Sequence, residues 1–414
     1  MQRSDFELMS PAGSLEAMHA AFQGGADAVY FGVGALNMRA HSAKAFTADD
    51  LPQLAQLCAE HGVKSYLTVN TVIYDGDLGA LNTIMHQAKA AGISAVIVAD
   101  VAAMLAARSV GLEVHLSTQL NIANVEALRF YAQFADVAVL ARELTLEQVA
   151  HIHQQVIEEP ILGPRGEPIR LEMFCHGALC MAVSGRCYLS EGTRGKSANR
   201  GECLQTCRRE YIVKDKERDI ELAVDNGYIF SPQDLKTIGF LDRMVAAGAR
   251  VFKIEGRARG PEYVRTVTEA YDEALKRIAQ GHWDENAKSE WDERLAKVFN
   301  RGFWNGYYLG EPVAQLTDGY GSKATEKKVY CAITLDYYAK AGVGHFKVQA
   351  GELQEGDKVL VTGPTTGAVS FTVEGMRVND QPGTVAKKGD EVTFVVPEKI
   401  RTNDKLYRVV PADR

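Results

Sequence analysis

Eight apolar runs, each followed by a stretch with helical periodicity, repeat along residues 5–281 and restrict the chain to parallel α/β folds. The runs lie in FELMSP, DAVYFG, KSYLTV, SAVIVA, EVHLST, DVAVLA, RLEMFC and RVFKIE. The helical stretches carry their own boundary signals. Ser14 precedes LEAMHAAFQ and Thr47 precedes ADDLPQLAQLCAE as N-caps, and Gly62 follows the second of these. Eight units favour a closed (β/α)8 TIM-like barrel over a doubly wound open sheet. No G-x-G-x-x-G follows the first run, which removes the main cue for a dinucleotide-binding sheet.

The period breaks once, at an insertion of about residues 180–230 between the seventh run and the eighth unit. A loop after a barrel strand sits at the C-terminal face, where barrel enzymes place their chemistry. Five of the seven cysteines crowd into Glu172–Cys207: Cys175, Cys180, Cys187, Cys203 and Cys207. The opening MQRSDFELMS shows no secretory h-region and no apolar run is long enough for a bilayer, so a cytoplasmic protein without a membrane partner is expected. There, ordinary thiols stay reduced, and an odd cysteine count argues against a disulfide framework. Metal ligation, redox chemistry or burial remain. Cys180-x6-Cys187 and Cys203-x3-Cys207 are looser than the knuckles of structural zinc. Scattered ligands at a barrel mouth favour an iron–sulfur cluster, with zinc and unligated thiols as alternatives. Cys175 ends a strand, a place where a free cysteine is commonly buried.

Arg194, Lys196, Arg200, Arg208 and Arg209 set positive charge among these thiols, although the chain as a whole carries a net charge of −7. An anionic partner is one reading; a solvated loop, or counter-charge for the thiolates, is the other. The strand ends offer Glu7, Tyr30, Asn70, His115, Ser117, Gln119, Asn121, Arg142, Glu143, His176, Lys253, Glu255 and Arg257. Arg142, Lys253 and Arg257 together suit a dicarboxylate. Arg142–Glu143 and Glu255–Arg257 equally suit ion pairs on the rim. H-E-x-x-H and G-x-S-x-G are absent, and Cys175 and His176, adjacent on a strand, point to opposite faces and make a poor catalytic dyad.

Beyond residue 320 the pattern changes to short strands separated by Gly, Asp and Pro turns, as in KKVYCAITLDYY, DKVLVTGP and DEVTFVVP. The expected organisation is a barrel over 1–281, an aromatic and glycine-rich connector over 282–323, and a small all-β barrel domain over 324–414.

FCHGALCMAVSGRCYLS resembles the signature of peptidase family U-32, a collagenase-like family. The likeness continues through ELMSPAGSLEAMHAAFQGGADAVYFG, VHLSTQLNIAN, VLARELTLEQV, NRGECLQTCRREY, SPQDLKTI and VFKIEGRARGPEYV. The family name records a protease claim. The resemblance implies oxygen-independent hydroxylases that carry a [4Fe–4S] cluster, use prephenate as hydroxyl source, and act on tRNA wobble uridine, an rRNA cytidine or the ubiquinone ring. The chain is most similar to the tRNA branch, which forms 5-hydroxyuridine, through CHGALCMA, SGRC and N-x-G-x-C-x3-C-R. That likeness places the cluster ligands on Cys180, Cys187, Cys203 and Cys207, and gives Cys175 no counterpart among them. The expected catalytic groups are then His176, Arg142, Lys253 and Glu255. Substrate contacts are expected from His115, Gln119, Asn121 and Arg257 at the mouth and from Arg194, Arg200 and Arg208 in the loop. The expected partners are tRNA and prephenate or a similar dicarboxylate. A U-32-type peptidase, an rRNA cytidine hydroxylase and a non-catalytic RNA-binding module are the alternatives.

Overall fold

The computed structural model describes every residue except 39, 41–45, 184–185, 213–226, 284, 312–313 and 413–414. Parts of the expected insertion, 184–185 and 213–226, therefore lie outside the described residues.

The apolar runs become strands β1 (Glu7–Pro11), β2 (Ala28–Phe31), β3 (Lys64–Val69), β4 (Ala95–Val98), β5 (Glu113–Leu116), β6 (Val137–Val139) and β7 (Arg170–Gly177). Helices α1 (Leu15–Gln23), α2 (Leu51–Glu60), α3 (Leu78–Ala91), α4 (Val101–Ser109), α5 (Val125–Ala132) and α6 (Leu146–Glu158) follow the first six in turn. Ser14 caps α1 through a bond from the Ala17 amide, while Thr47 caps a 3-10 turn that leads into α2. The eighth barrel strand, β9 (Ala249–Ile254), pairs in parallel with both β7 and β1 and closes the barrel. Helix α9 (Pro261–Ala279) completes the outer ring.

The chain between β7 and β9 holds a short helix α7 (Leu189–Arg194), a two-bond strand β8 (Asp234–Lys236) and a single-turn-and-a-half helix α8 (Leu241–Ala246). Within residues 232–248, β8 takes only Asp234–Lys236, and a 3-10 turn, Ile238–Phe240, runs straight into α8. Strand β8 pairs antiparallel with the end of β7, His176 opposite Lys236 and Gly177 opposite Leu235, so the insertion leaves and returns through the base of a hairpin. The connector supplies α10 (Glu285–Lys297) and a two-residue strand β10 (Phe303–Trp304) beside β8.

Residues 326–411 form an eight-stranded antiparallel sheet and a separate two-stranded one around their own core, where Phe346 and Phe394 stack at 4.7 Å. This domain sits on α1 and α9. The Gln23 amide nitrogen bonds Thr366 O at 3.0 Å and Glu398 at 3.1 Å, and Arg265 pairs with Glu398 at 2.9 Å. Gly367, at φ +70°, is needed there, because a Cβ would lie 2.3 Å from Gln23 Oε1.

Inside the barrel, apolar packing of Met9, Ala28, Tyr30, Tyr66, Ala95, Ile97, Val137 and Val251 is interrupted by charge. Glu7, opposite Val251, is buried and accepts bonds from Lys64 (2.7 Å), Tyr66 (2.7 Å) and Arg170 (3.0 Å). It begins its strand, so it belongs to the floor of the barrel and not to the C-terminal mouth, contrary to its placing among the strand-end candidates. Burial opposes its ionisation, but Arg170, His115 and Lys64 outweigh burial and lower its pKa to about 2.

A carboxyl depressed in the folded state adds stability that is complete above its ordinary value of 4.5 and is lost as pH falls towards about 2. Glu7→Gln should cost about 2 kcal/mol at neutral pH, since Lys64 and Arg170 still reach water. Urea melts from neutral pH downwards should show a shallower acid loss for the variant; parallel curves would contradict this account of Glu7.

Candidate functional site

At the C-terminal end of the strands a cavity of about 590 Å³ opens beneath the insertion. Its floor is set by β2, β7 and β9. Lys253 lies there, buried, with its ammonium 2.8 Å from Glu172 Oε1. Glu172 is fully buried and its other oxygen has no partner. The rings of Tyr30 and Phe174 flank the ammonium at 4.8 and 5.5 Å. Removing one member of such a pair strands the other charge, at about 3–5 kcal/mol.

Arg142 comes from the loop after β6. It is 7% exposed, lies over the Phe174 ring at 5.0 Å and touches Ala178 O at 3.4 Å. Its Nε has no partner, and among the described residues no carboxylate lies within ion-pair distance of it. A buried guanidinium without a counter-ion is a site for an anion. Across the cavity Arg257 donates to Thr68 Oγ1 at 2.8 Å and sits over Tyr30 at 5.6 Å. Asn70, Ser117 and Gln119 form a hydrogen-bonded group on the β3 and β5 side, with Asn70 Nδ2 3.4 Å from Ser117 and 3.3 Å from Gln119. Arg186, Arg208, Arg259 and Arg301 complete the cationic wall, against which Glu255 is the lining carboxylate. The cavity is therefore strongly electropositive.

The roof is the insertion. Arg200 reaches Asp77 with both terminal nitrogens (2.6 and 3.1 Å), bonds Val72 O at 2.6 Å and stacks on Tyr74 at 4.3 Å. Arg208 is tied to Ser231 (3.0 Å), Pro232 O (2.8 Å) and Leu179 O. Both arginines were expected to contact substrate; the structure uses them as clamps, because each finds its acceptors within the protein. Arg208 still edges the cavity, whereas Arg200 does not.

Cys180, Cys187, Cys203 and Cys207 all line this cavity beneath the roof. Burial pushes the Cys207 thiol up, Arg208 pulls it back, and the charges of Cys180, Cys203 and Cys187 all reach it. The Leu189 amide points at Cys187 Sγ at 3.4 Å. Among the described residues no three His, Cys, Asp or Glu side chains converge closely enough to hold one metal ion. Four thiols on one cavity are a donor set for a tetrathiolate zinc and for an iron–sulfur cluster alike.

Of the expected groups, Arg142, Lys253, Glu255, Gln119, Arg257 and Arg208 meet at the cavity with the four cysteines. Four others do not. The pairing of β7 with β9 slips between Phe174 and His176, so that Cys175 is an extra residue and the alternation of faces is broken. His176 is thereby turned out of the barrel, against Tyr263, Tyr271 and Phe303. Burial, and then Lys236, hold its pKa down to about 3, so it stays neutral there. His115 lies beneath the cavity, 3.1 Å from Glu113 and packed on Tyr66 at 4.5 Å. Asn121 is an exposed residue at φ +52° after a 3-10 turn, and Arg194 ends α7 in solvent. Cys175 is buried, with its thiol against Lys253 O at 3.4 Å. Arg259 and Arg301 were missed. The first follows the Glu255–Arg257 strand end in GRARG and was within reach of sequence reasoning; the second comes from the connector, and nothing local marks it.

Comparison with known proteins gives a consistent outline. The profile described as Peptidase family U32 matches residues 13–318. A collagenase of Porphyromonas gingivalis is 55% identical over 408 residues, covering 99% of each chain. A tRNA hydroxylation protein P1 of Bacillus subtilis is 30% identical over 97% of this chain and 93% of its own. A 23S rRNA 5-hydroxycytidine synthase of Escherichia coli is 30% identical over 98% of this chain and 58% of its own.

If Arg200 is a clamp, Arg200→Ala and Asp77→Ala should have the same effect although they remove opposite charges. Limited proteolysis should cut the 186–212 segment several-fold faster in both, with a thermal midpoint near that of the parent. Faster cutting in neither variant would mean that the pair does not hold the roof.

Proposed function

The chain belongs to peptidase family U32, and from that premise we propose that it is an iron–sulfur enzyme that hydroxylates RNA, with a tRNA wobble uridine as the substrate and 5-hydroxyuridine as the product. One observation carries this reading: four thiols from Cys180 to Cys207 share a single cavity with the unpaired guanidinium of Arg142 and the ammonium of Lys253. Four thiolates are a complete ligand set for a [4Fe–4S] cluster, and the set fits what is present here. Such a cluster, when bound, supplies one-electron chemistry or a Lewis-acidic iron.

The rest belongs to the chain's own side chains. Arg142 and Lys253 on one wall and Arg257 on the other would hold a dicarboxylate such as prephenate, with Tyr30 and Phe174 keeping water from the floor. Glu255, which lines the cavity, would accept a proton from the base being modified. Asn70, Ser117 and Gln119 offer amide and hydroxyl groups to a base edge. The setting would be the cytoplasm, and no helix among the described residues is long and apolar enough to cross a membrane.

A second reading, a peptidase, is favoured by the name of the Porphyromonas gingivalis relative. Among the described residues that line the cavity there is no histidine to serve as base to a thiol. Neither His115 nor His176 borders the cavity, and burial pushes the Cys175 thiol well up.

Protein purified without oxygen should be brown, and Cys180→Ala should bleach it. Nucleoside mass spectrometry of total RNA from a deletion strain should lose one hydroxylated pyrimidine, restored by the parent gene and not by Cys180→Ala. Arg142→Met should keep the colour while modification falls roughly 10- to 100-fold, the worth of a charged hydrogen-bonding group. Full modification by a bleached Cys180→Ala protein would sink the role of the cluster. An unchanged nucleoside profile together with cleavage of a collagen-like peptide would favour the peptidase.

A further inference from the structure

Two exposed tyrosines lie on loops at the C-terminal end of the strands, Tyr188 in the cavity lining and Tyr74 outside it, and neither packs into a core. Tyr188, 71% exposed, lines the mouth next to the ligand-type thiol of Cys187. Tyr74, 61% exposed, lies on the loop after β3 with the Arg200 guanidinium against one ring face. The two loops are held by one residue. Asn199 bonds both the amide (3.3 Å) and the carbonyl (3.4 Å) of Cys187, and its own carbonyl accepts from the Val72 amide at 3.1 Å. The rings are therefore displayed on a braced frame. Met181, Val183 and Leu204 of the same insertion are exposed apolar side chains as well.

The charge of this surface differs from that of the chain. Residues 178–212 hold six Arg or Lys against three Glu, within a protein of net charge −7. Arg186, Arg194 and Arg209 are exposed, and among the described residues no carboxylate pairs with them. Aromatic faces interleaved with free guanidinium groups, above an electropositive cavity, match an unpaired nucleic-acid strand: bases stack on the rings while phosphates meet the arginines. A duplex keeps its bases stacked on one another and has no use for such rings.

We propose that Tyr188 and the Arg200-backed Tyr74 form a base-stacking platform that receives a single-stranded RNA loop, Tyr188 at the cavity and Tyr74 one step outside it. The inference rests on the RNA-modifying reading above and adds to it the residues that select unpaired RNA.

Fluorescence anisotropy of the full-length holoprotein tests it, with a labelled RNA hairpin and a fully paired duplex of the same stem. The parent should prefer the hairpin. Tyr188→Ala should weaken hairpin binding roughly five- to a hundred-fold, the worth of one stacked base, and Tyr188→Phe should stay within about twofold. Tyr74→Ala should weaken it by a similar factor, and none of the three should alter the salt dependence. Arg194→Ala should instead reduce the salt slope by about 0.7. Parent-like hairpin binding by both alanine variants, with parent RNA binding intact, would overturn the platform and leave the RNA-modifying reading standing. A parent that binds neither RNA would overturn both. A parent dimer that Tyr188→Ala converts to a monomer, with RNA binding unchanged, would assign the surface to a second copy of the chain.

Discussion

The bond between Lys253 and Glu172 crosses the seam at which the barrel closes. It joins β9 to β7, two strands separated by the whole of the insertion, and both its members are buried. An ion pair in such surroundings returns its desolvation cost only if its geometry is held, and here two aromatic rings and two strands hold it. The same bond fixes the floor of the cavity. It presents an ammonium upward while its counter-charge stays below, so the field inside the mouth remains positive. A hydrophobic pair of equal volume would close the seam as well; it would not leave a cation facing the opening.

The cavity combines two kinds of cation, and the difference is in their partners. Arg200 and Arg208 are satisfied by the protein and serve the architecture. Arg142 is buried with a nitrogen left over, a state that is costly unless something anionic arrives. Side chains of one type, a few ångströms apart in function, are sorted by whether acceptors were built for them. The four thiols add a third element, a group of weak acids brought together by a loop whose shape depends on those satisfied arginines.

The barrel was readable because apolar periodicity and helix caps are local signals, and both survive folding unchanged. The thiol set was readable because its spacing is local too. His176 was misplaced for a definite reason: a one-residue slip opposite β9 inverts the faces beyond Cys175, and a slip leaves no trace in composition. Glu7 begins the strand Glu7–Pro11 and so faces the floor, and only the direction of the strand in the barrel separates that end from the mouth. Arg200 looked like a contact for phosphate because its partner, Asp77, is more than a hundred residues away. Tyr188 and Tyr74 carry no mark in the sequence, because exposure is a tertiary property.

The hairpin formed by β7 and β8 means that the insertion starts and stops at almost the same point in space. A loop with its ends already joined can lengthen, shorten or exchange its contents with little entropic consequence for the scaffold, because closure entropy grows only logarithmically with length. The roof is in that sense an interchangeable cartridge on a fixed socket. Divergence of substrate within one scaffold then requires no change in the barrel's strands, only a new roof that still delivers four thiols to the same mouth.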